Sequence, residues 1–229
     1  MRVEIWADII CPWCYIGKAR FDQALAAFAH RNQVEVLYRS FELEPGRDKT
    51  RVEPVGQMLI DRFGSRGPGM DQQVAELARA EGLDYRTDRH VGSTFDLHRL
   101  IHLAREYGLQ HQLVAAAFRA NFAEARNLFT ASTLAEFATE TGLEAQVVQR
   151  VLNDPTTYAA EVRADEQRAG ELDVPGVPFF LIDGHTVISG GQSVAAFTRA
   201  LERAWTDSPD GVDSAAVCSP TASCELPPR

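Results

Sequence analysis

Two thiols spaced by two residues, Cys11-Pro12-Trp13-Cys14, are the residues of this chain best suited to chemistry. The preceding stretch, residues 3–9, has the β-branched and aromatic content of a strand. Phe21, Leu25 and Phe28 then recur at helical spacing. The pair therefore sits where a strand ends and a helix begins. A helix N-terminus carries unpaired N–H groups and roughly half a positive charge, which favours thiolate over thiol. Pro12 suits the first helical position, because its fixed φ is helical and its missing N–H would have had no partner. This placement predicts Cys11 at an exposed helix tip and Cys14 one turn later on the same face. Such thiols can close and reopen a small disulfide, and the first pKa in such sites falls to roughly 3.5–7.5 from about 8.5. The alternative is half of a zinc site. Zinc sites usually use a second closely spaced pair, and the only other cysteines are Cys218 and Cys224, with five residues between them in a Pro/Ser-rich tail. Spacing and placement favour redox chemistry.

Composition sets the surrounding limits. The chain has 229 residues, is 45% hydrophobic and carries a formal charge of −9, enough for a sizeable core. It has no basic run, which argues against a nucleic-acid partner. Its apolar runs are too short to span a bilayer, so no membrane partner is expected. The first residues enter a strand with no apolar targeting region, so a cytoplasmic location is expected. Four cysteines in this length do not make a disulfide scaffold.

The elements that must position the pair follow in order. Residues 34–40 read as a second strand, giving a βαβ unit with a right-handed crossover. Glu44–Asp48 is a loop. From about 54 to 170 the pattern is helical throughout, with candidate helices over 54–63, 71–82, 94–108, 110–125, 133–141, 144–153 and 155–170 and no strand. Gly64 to Gly69 is a flexible join, Thr133–Glu136 reads as a capping box, and Asp154-Pro155 as N-cap and first helical residue. Strand character returns at 178–182, Asp183-Gly184 is a hairpin turn, 185–188 returns, and 192–205 is a last amphipathic helix. The expected organisation is a discontinuous domain over 1–45 and 171–206, a helical insertion over 46–170, and a tail over 207–229.

A split βαβ…ββα with Cys-x-x-Cys at the first helix start resembles an α/β thioredoxin fold with a large all-helical insertion. The chain is similar to the DsbA-like family, and within it to the FrnE-like dithiol-disulfide oxidoreductase/isomerase branch. The matching residues are Asp8, Cys11–Gly17, Phe41-Glu42-Leu43, Phe95 with His98-Arg99-Leu100, Gly176–Phe180 and Ser189–Gln192. The resemblance implies a cis Val177-Pro178 bond facing the cysteines. It implies that Cys11 attacks a substrate disulfide or forms a mixed disulfide, and that Cys14 resolves it. Pro178 has no N–H, and the Val177 backbone is left free to pair with an extended peptide. Trp13, Tyr15 and Phe179 either form an apolar surface around the sulfurs or belong to the core. Partners are then proteins carrying thiols or disulfides, and a small-thiol or thioredoxin-type redox protein. No cofactor beyond the redox disulfide is implied; glutathione is a candidate reductant.

Other residues carry weaker readings. Asp8 either relays a proton from Cys14 or caps the helix. His98 and His102 have metal-ligand spacing, but the position after His98 is Arg99 where a zincin has Glu, so surface or packing roles fit better. Arg99 and Arg105 read as solvated helix residues. Cys218 and Cys224 form either a second redox pair, a structural clip or two unrelated thiols in a disordered tail. Two other functions compete. Glutathione-dependent isomerases and transferases share the overall fold, but usually have serine where Cys11 stands. A zinc-bound, non-enzymatic module would use all four cysteines.

Overall fold

The computed structural model describes residues 1–207; Cys218 and Cys224 lie outside them. Strand β1 (Arg2–Ala7) runs into helix α1 (Pro12–Ala27), and the chain returns as β2 (Glu35–Ser40) parallel to β1. Much later β5 (Phe179–Ile182) pairs antiparallel with β1, and β6 (Thr186–Ser189) with β5, giving the order β2-β1-β5-β6. Asp183 (φ 48°) and Gly184 (φ 77°) make the hairpin turn, both left-handed as a two-residue primed turn requires.

The two central strands are buried on both faces. On one face α1 and α9 (Val194–Asp207) cover Val3, Ile5 and Phe180. Phe21, Phe180 and Phe197 meet there with ring centroids 4.7–5.7 Å apart. On the other face Trp6, Phe179 and Leu181 pack under Ala169 of α8 (Ala159–Glu171) and Leu172 at its C-cap. The Trp6 indole N–H donates to the Asp165 carbonyl at 3.0 Å, satisfying the polar atom of a fully buried ring.

Between β2 and β5 the chain is mainly helical: α2 (Val55–Phe63), α3 (Gly67–Ala80), α4 (Phe95–Glu106), α5 (Gln110–Phe118), α6 (Ala131–Glu140), α7 (Ala145–Asn153) and α8. Several boundaries differ from expectation. Two-residue strands β3 (Glu53–Pro54) and β4 (His90–Val91) pair antiparallel, too short to leave a periodic signal. The stretch expected as one helix over 110–125 ends in a π turn at Arg119–Ala123. The N-cap of α6 is Thr130, whose side chain accepts from the Thr133 N–H, so the helix starts before the expected capping box. Asp154 closes α7, where its carboxylate accepts from the Thr156 N–H and the Thr156 and Thr157 hydroxyls; α8 begins after Tyr158 in the left-handed region. An Asp can serve either end of a helix, and Asp154 serves the C-terminal end of α7.

Arg99 is the largest correction. It is fully buried. Its guanidinium donates to the Val151, Asp154 and Thr157 carbonyls and to Asp96. It satisfies carbonyls at the end of α7 that no helical N–H can reach. His98 and His102 are buried as well, and His102 Nε2 lies 3.2 Å from both Ser40 Oγ and an Asp165 oxygen. Among the described residues no cluster of three or more His, Cys, Asp or Glu is arranged to hold a metal ion, and no helix is long and apolar enough to cross a membrane.

Candidate active site

Cys11 is the N-cap of α1, with extended backbone, and Pro12 is its first helical residue. The Cys11 N–H donates to the Asp8 carbonyl at 3.1 Å, and the Cys11 carbonyl accepts from Cys14 and Tyr15. Both cysteines carry free thiols. Cys11 is not at an exposed tip: only 4% of it is accessible. Its thiol donates to the Val177 carbonyl at 3.5 Å, so that carbonyl is occupied rather than free while Cys11 is protonated.

Val177-Pro178 is cis. The Pro178 carbonyl accepts from the Gly190 N–H at 2.8 Å, which extends the β5–β6 pairing and holds the bend to the end of β6. Two glycines let this bend approach α1. A Cβ on Gly191 would lie 3.1 Å from the Trp13 carbonyl oxygen, and Gly17 is as crowded on its own side. Asn121, fully buried in the π turn, donates to the Ile9 carbonyl at 3.1 Å and so ties the helical insertion to the chain just ahead of Cys11. Sequence reasoning missed Asn121; a lone Asn has no periodic signature.

Cys14 lies behind Cys11 and is 1% exposed. Its pKa is raised well above the ordinary thiol value. Burial is the main cause, followed by the hydrogen bond and charge of Cys11 and by the Asp8 carboxylate, against a partly offsetting backbone hydrogen bond from Asp8. Asp8 is fully buried, and its side chain does not cap α1. One carboxylate oxygen accepts from the Leu43 N–H at 2.7 Å, and the other faces His98 Nε2 at 3.5 Å.

The three aromatic candidates separate. Trp13 is exposed beside Cys11. Tyr15 is half-buried, stacks on Phe122 at 5.0 Å and donates to the Asp84 carbonyl at 3.2 Å, which fastens α1 to the insertion. Phe179 is a core residue, 5.9 Å from Trp6, and offers no surface around the sulfurs. Its signal was legible: Phe-Phe-Leu-Ile is a continuous apolar run, as expected of a strand covered on both faces.

What does border Cys11 is a groove of about 400 Å³. Pro12, Trp13, Gly176 and Val177 form one wall. Val55, Met58, Leu59 and Phe63 of α2 and Met70 and Val74 of α3 form the other. Only Val55 of α2 is fully buried, so the rest of that apolar face looks into the groove. Charges at its margin are paired with each other: Arg62 with Glu44 at 3.4 Å, and buried Arg89 with Asp71 at 2.8 Å. The arrangement offers an apolar, electrically balanced channel that ends at a thiol.

The model of the DSBA-like thioredoxin domain family matches residues 2–202. This chain belongs to that family. The structure of a probable DsbA oxidoreductase from Streptomyces coelicolor is 50% identical, with a TM-score of 0.87 and full coverage of both chains. The Bacillus subtilis protein YwbO is 27% identical over 201 residues, which is 88% of this chain and 96% of YwbO. The cytosolic disulfide reductase DsbM of Pseudomonas aeruginosa, solved with GSH, shares the fold at 19% identity and a TM-score of 0.63, over 89% of this chain and 98% of DsbM. The family is one of thioredoxin-fold oxidoreductases, and this chain has that fold with a helical insertion.

Proposed function

We propose that the protein is a thiol–disulfide oxidoreductase or isomerase of the FrnE-like branch, acting on protein disulfides in the cytoplasm. The observation that carries this reading is the Cys11 thiol at a helix N-cap, 3.5 Å from the Val177 carbonyl and facing an open apolar groove. Loss of the Cys11 proton gives the attacking thiolate and releases the Val177 carbonyl to pair with an extended peptide. The thiolate attacks one sulfur of a substrate disulfide; a new S–S bond forms, the old one breaks, and the other substrate sulfur leaves as thiolate. Cys14 then attacks Cys11, closing the internal disulfide and releasing the reduced substrate. Trp13 and the walls of α2 and α3 hold the apolar residues that flank the substrate cysteine. A small thiol such as glutathione, or a thioredoxin-type protein, returns the pair to dithiol. The two sequence readings of Cys218 and Cys224, a second redox pair that exchanges with the first or a structural clip, are separated by the Cys218→Ser/Cys224→Ser variant: lost turnover with Cys11–Cys14 intact supports exchange, and unchanged turnover and Cys11–Cys14 potential remove them from the cycle.

Cys14 is what sets this reading apart from the glutathione-dependent isomerase chemistry, which needs no resolving thiol. The test is a pair of variants. Cys11→Ser is expected to abolish disulfide reduction, and Cys14→Ser to accumulate mixed disulfides with substrate on a non-reducing gel. Full activity of Cys11→Ser would overturn the assignment.

A further inference from the structure

The segment that carries Cys11 has few supports of its own. Helix α1 begins at Cys11 with no side chain capping it. Just ahead, the Cys11 N–H closes a turn onto the Asp8 carbonyl at 3.1 Å, with Ile9 and Ile10 at its corner. A corner carbonyl takes no part in the turn's own hydrogen bond, and a buried one needs a donor from elsewhere. For Ile9, itself buried, that donor is the Asn121 side-chain amide at 3.1 Å. Asn121 is fully buried, and its Oδ1 finds no partner among the described residues. A polar side chain is thus held in the core, at a cost, for one donor.

Asn121 reaches Ile9 from a rare piece of backbone. The π turn Arg119–Ala123 is closed by the Glu124 N–H on the Arg119 carbonyl at 3.1 Å, and Ala125 follows in the left-handed region at φ 53°. Helices seldom widen in this way, and a non-glycine residue at such a φ costs free energy; both features cluster at functional sites. The next residue, Phe122, stacks on Tyr15 with ring centroids 5.0 Å apart and planes 6° apart. Consecutive residues of one turn therefore hold the chain two residues ahead of Cys11 and one residue beyond Cys14. Phe122 also meets the groove wall: the Arg89 guanidinium lies 4.8 Å from its ring, and Arg89 donates to Asp71 of α3 at 2.8 Å.

Resting on the oxidoreductase reading above, we infer that Asn121 is a positioning residue for Cys11, through which the π turn of the helical insertion tunes the redox balance of the Cys11–Cys14 pair. The Asn121 amide fixes the Ile9 carbonyl, and the turn passes that orientation on to Cys11. The Cys11 thiol is thereby kept within reach of the Val177 carbonyl, 3.5 Å away. That hydrogen bond exists only in the dithiol, because the disulfide has no S–H to donate. Whatever aligns it favours the reduced pair, and a stabilised reduced pair makes a stronger oxidant. Asn121 itself touches no substrate and exchanges no proton or electron.

The test equilibrates the full-length protein with mixtures of reduced and oxidised glutathione, traps free thiols, and reads the peptide carrying Cys11 and Cys14 by mass. Asn121→Leu and Asn121→Asp both keep the side chain's size and remove the donor. Each is expected to shift the equilibrium about fivefold towards disulfide, the scale of one hydrogen bond. Each should also speed alkylation of Cys11 by iodoacetamide, since the thiol leaves its shelter. An equilibrium that stays at the wild-type value or moves towards dithiol, even with a lower melting temperature, makes Asn121 purely structural and overturns the inference; so does alkylation at the wild-type rate. A wild-type pair that exchanges with glutathione at no ratio would instead defeat the oxidoreductase reading. Should neither variant fold, Phe122→Leu, which keeps the core apolar and removes the stack on Tyr15, is expected to move the same equilibrium towards disulfide; no shift overturns the role of the turn.

Discussion

Gly17 faces Pro178 with no room for a side chain. A Cβ on Gly17 would lie 2.9 Å from Pro178 Cγ and 3.1 Å from the Gly191 backbone. Neither neighbour can yield cheaply, one being a ring and the other main chain. This contact sets how close the Pro178 bend comes to α1, and hence where Val177 sits over Cys11.

Gly17→Ala is therefore expected to destabilise the protein by about 1–3 kcal/mol, as overpacked cores do. It should also lower turnover on a peptide disulfide more than on a small aromatic disulfide, since only the peptide uses the Val177 backbone. Equal losses on both substrates would mean that the contact matters for stability alone.

The raised Cys14 pKa makes reduced-state stability depend on pH. The folded thiol holds its proton above the ordinary thiol value of about 8.5, while the unfolded thiol releases it there. The folded state thus binds more protons above that pH. Stability from this group is complete below about pH 8.5 and is lost as pH rises towards the folded pKa. Urea midpoints of the reduced protein should fall between about pH 8.5 and 10, and Cys14→Ala should flatten that limb. Parallel curves for the two proteins would assign the decline to other groups.

Arg99→Met is expected to cost about 3 kcal/mol or more, because buried carbonyls and Asp96 lose their donor together. Thermal unfolding reads this directly. A loss below about 1 kcal/mol would show that water replaces the guanidinium.

Met58→Glu places a charge in the wall of the groove. KM for a peptide with a large apolar residue beside its cysteine should rise about tenfold, the scale of one lost apolar contact, with little change in the rate of Cys11 alkylation. An unchanged KM would move the substrate off the α2–α3 wall.

The sheet, α1 and α9 were legible because each obeys a single period and ends at a marked turn, such as Asp183-Gly184. The Cys-x-x-Cys pair was legible for the same local reason. What was not legible depends on residues distant in sequence. Cys11 reads as an exposed cap until Val177 and α2 close over it. Arg99 reads as solvated until the end of α7 presents its carbonyls. His98 reads as packing until Asp8, far ahead of it, is placed opposite. Local chemistry shows what a side chain can do; the partner that decides whether it does so lies elsewhere in the chain.

The Cys11–Val177 hydrogen bond joins residues 166 positions apart. A chain made from its N-terminus would present Cys11 and Cys14 long before the segment that shelters them. Through most of its synthesis Cys11 would be an ordinary thiol, open to any oxidant or stray disulfide nearby. The sheltered pair therefore forms intact only where nascent thiols stay reduced, or are repaired, until the Val177 segment arrives.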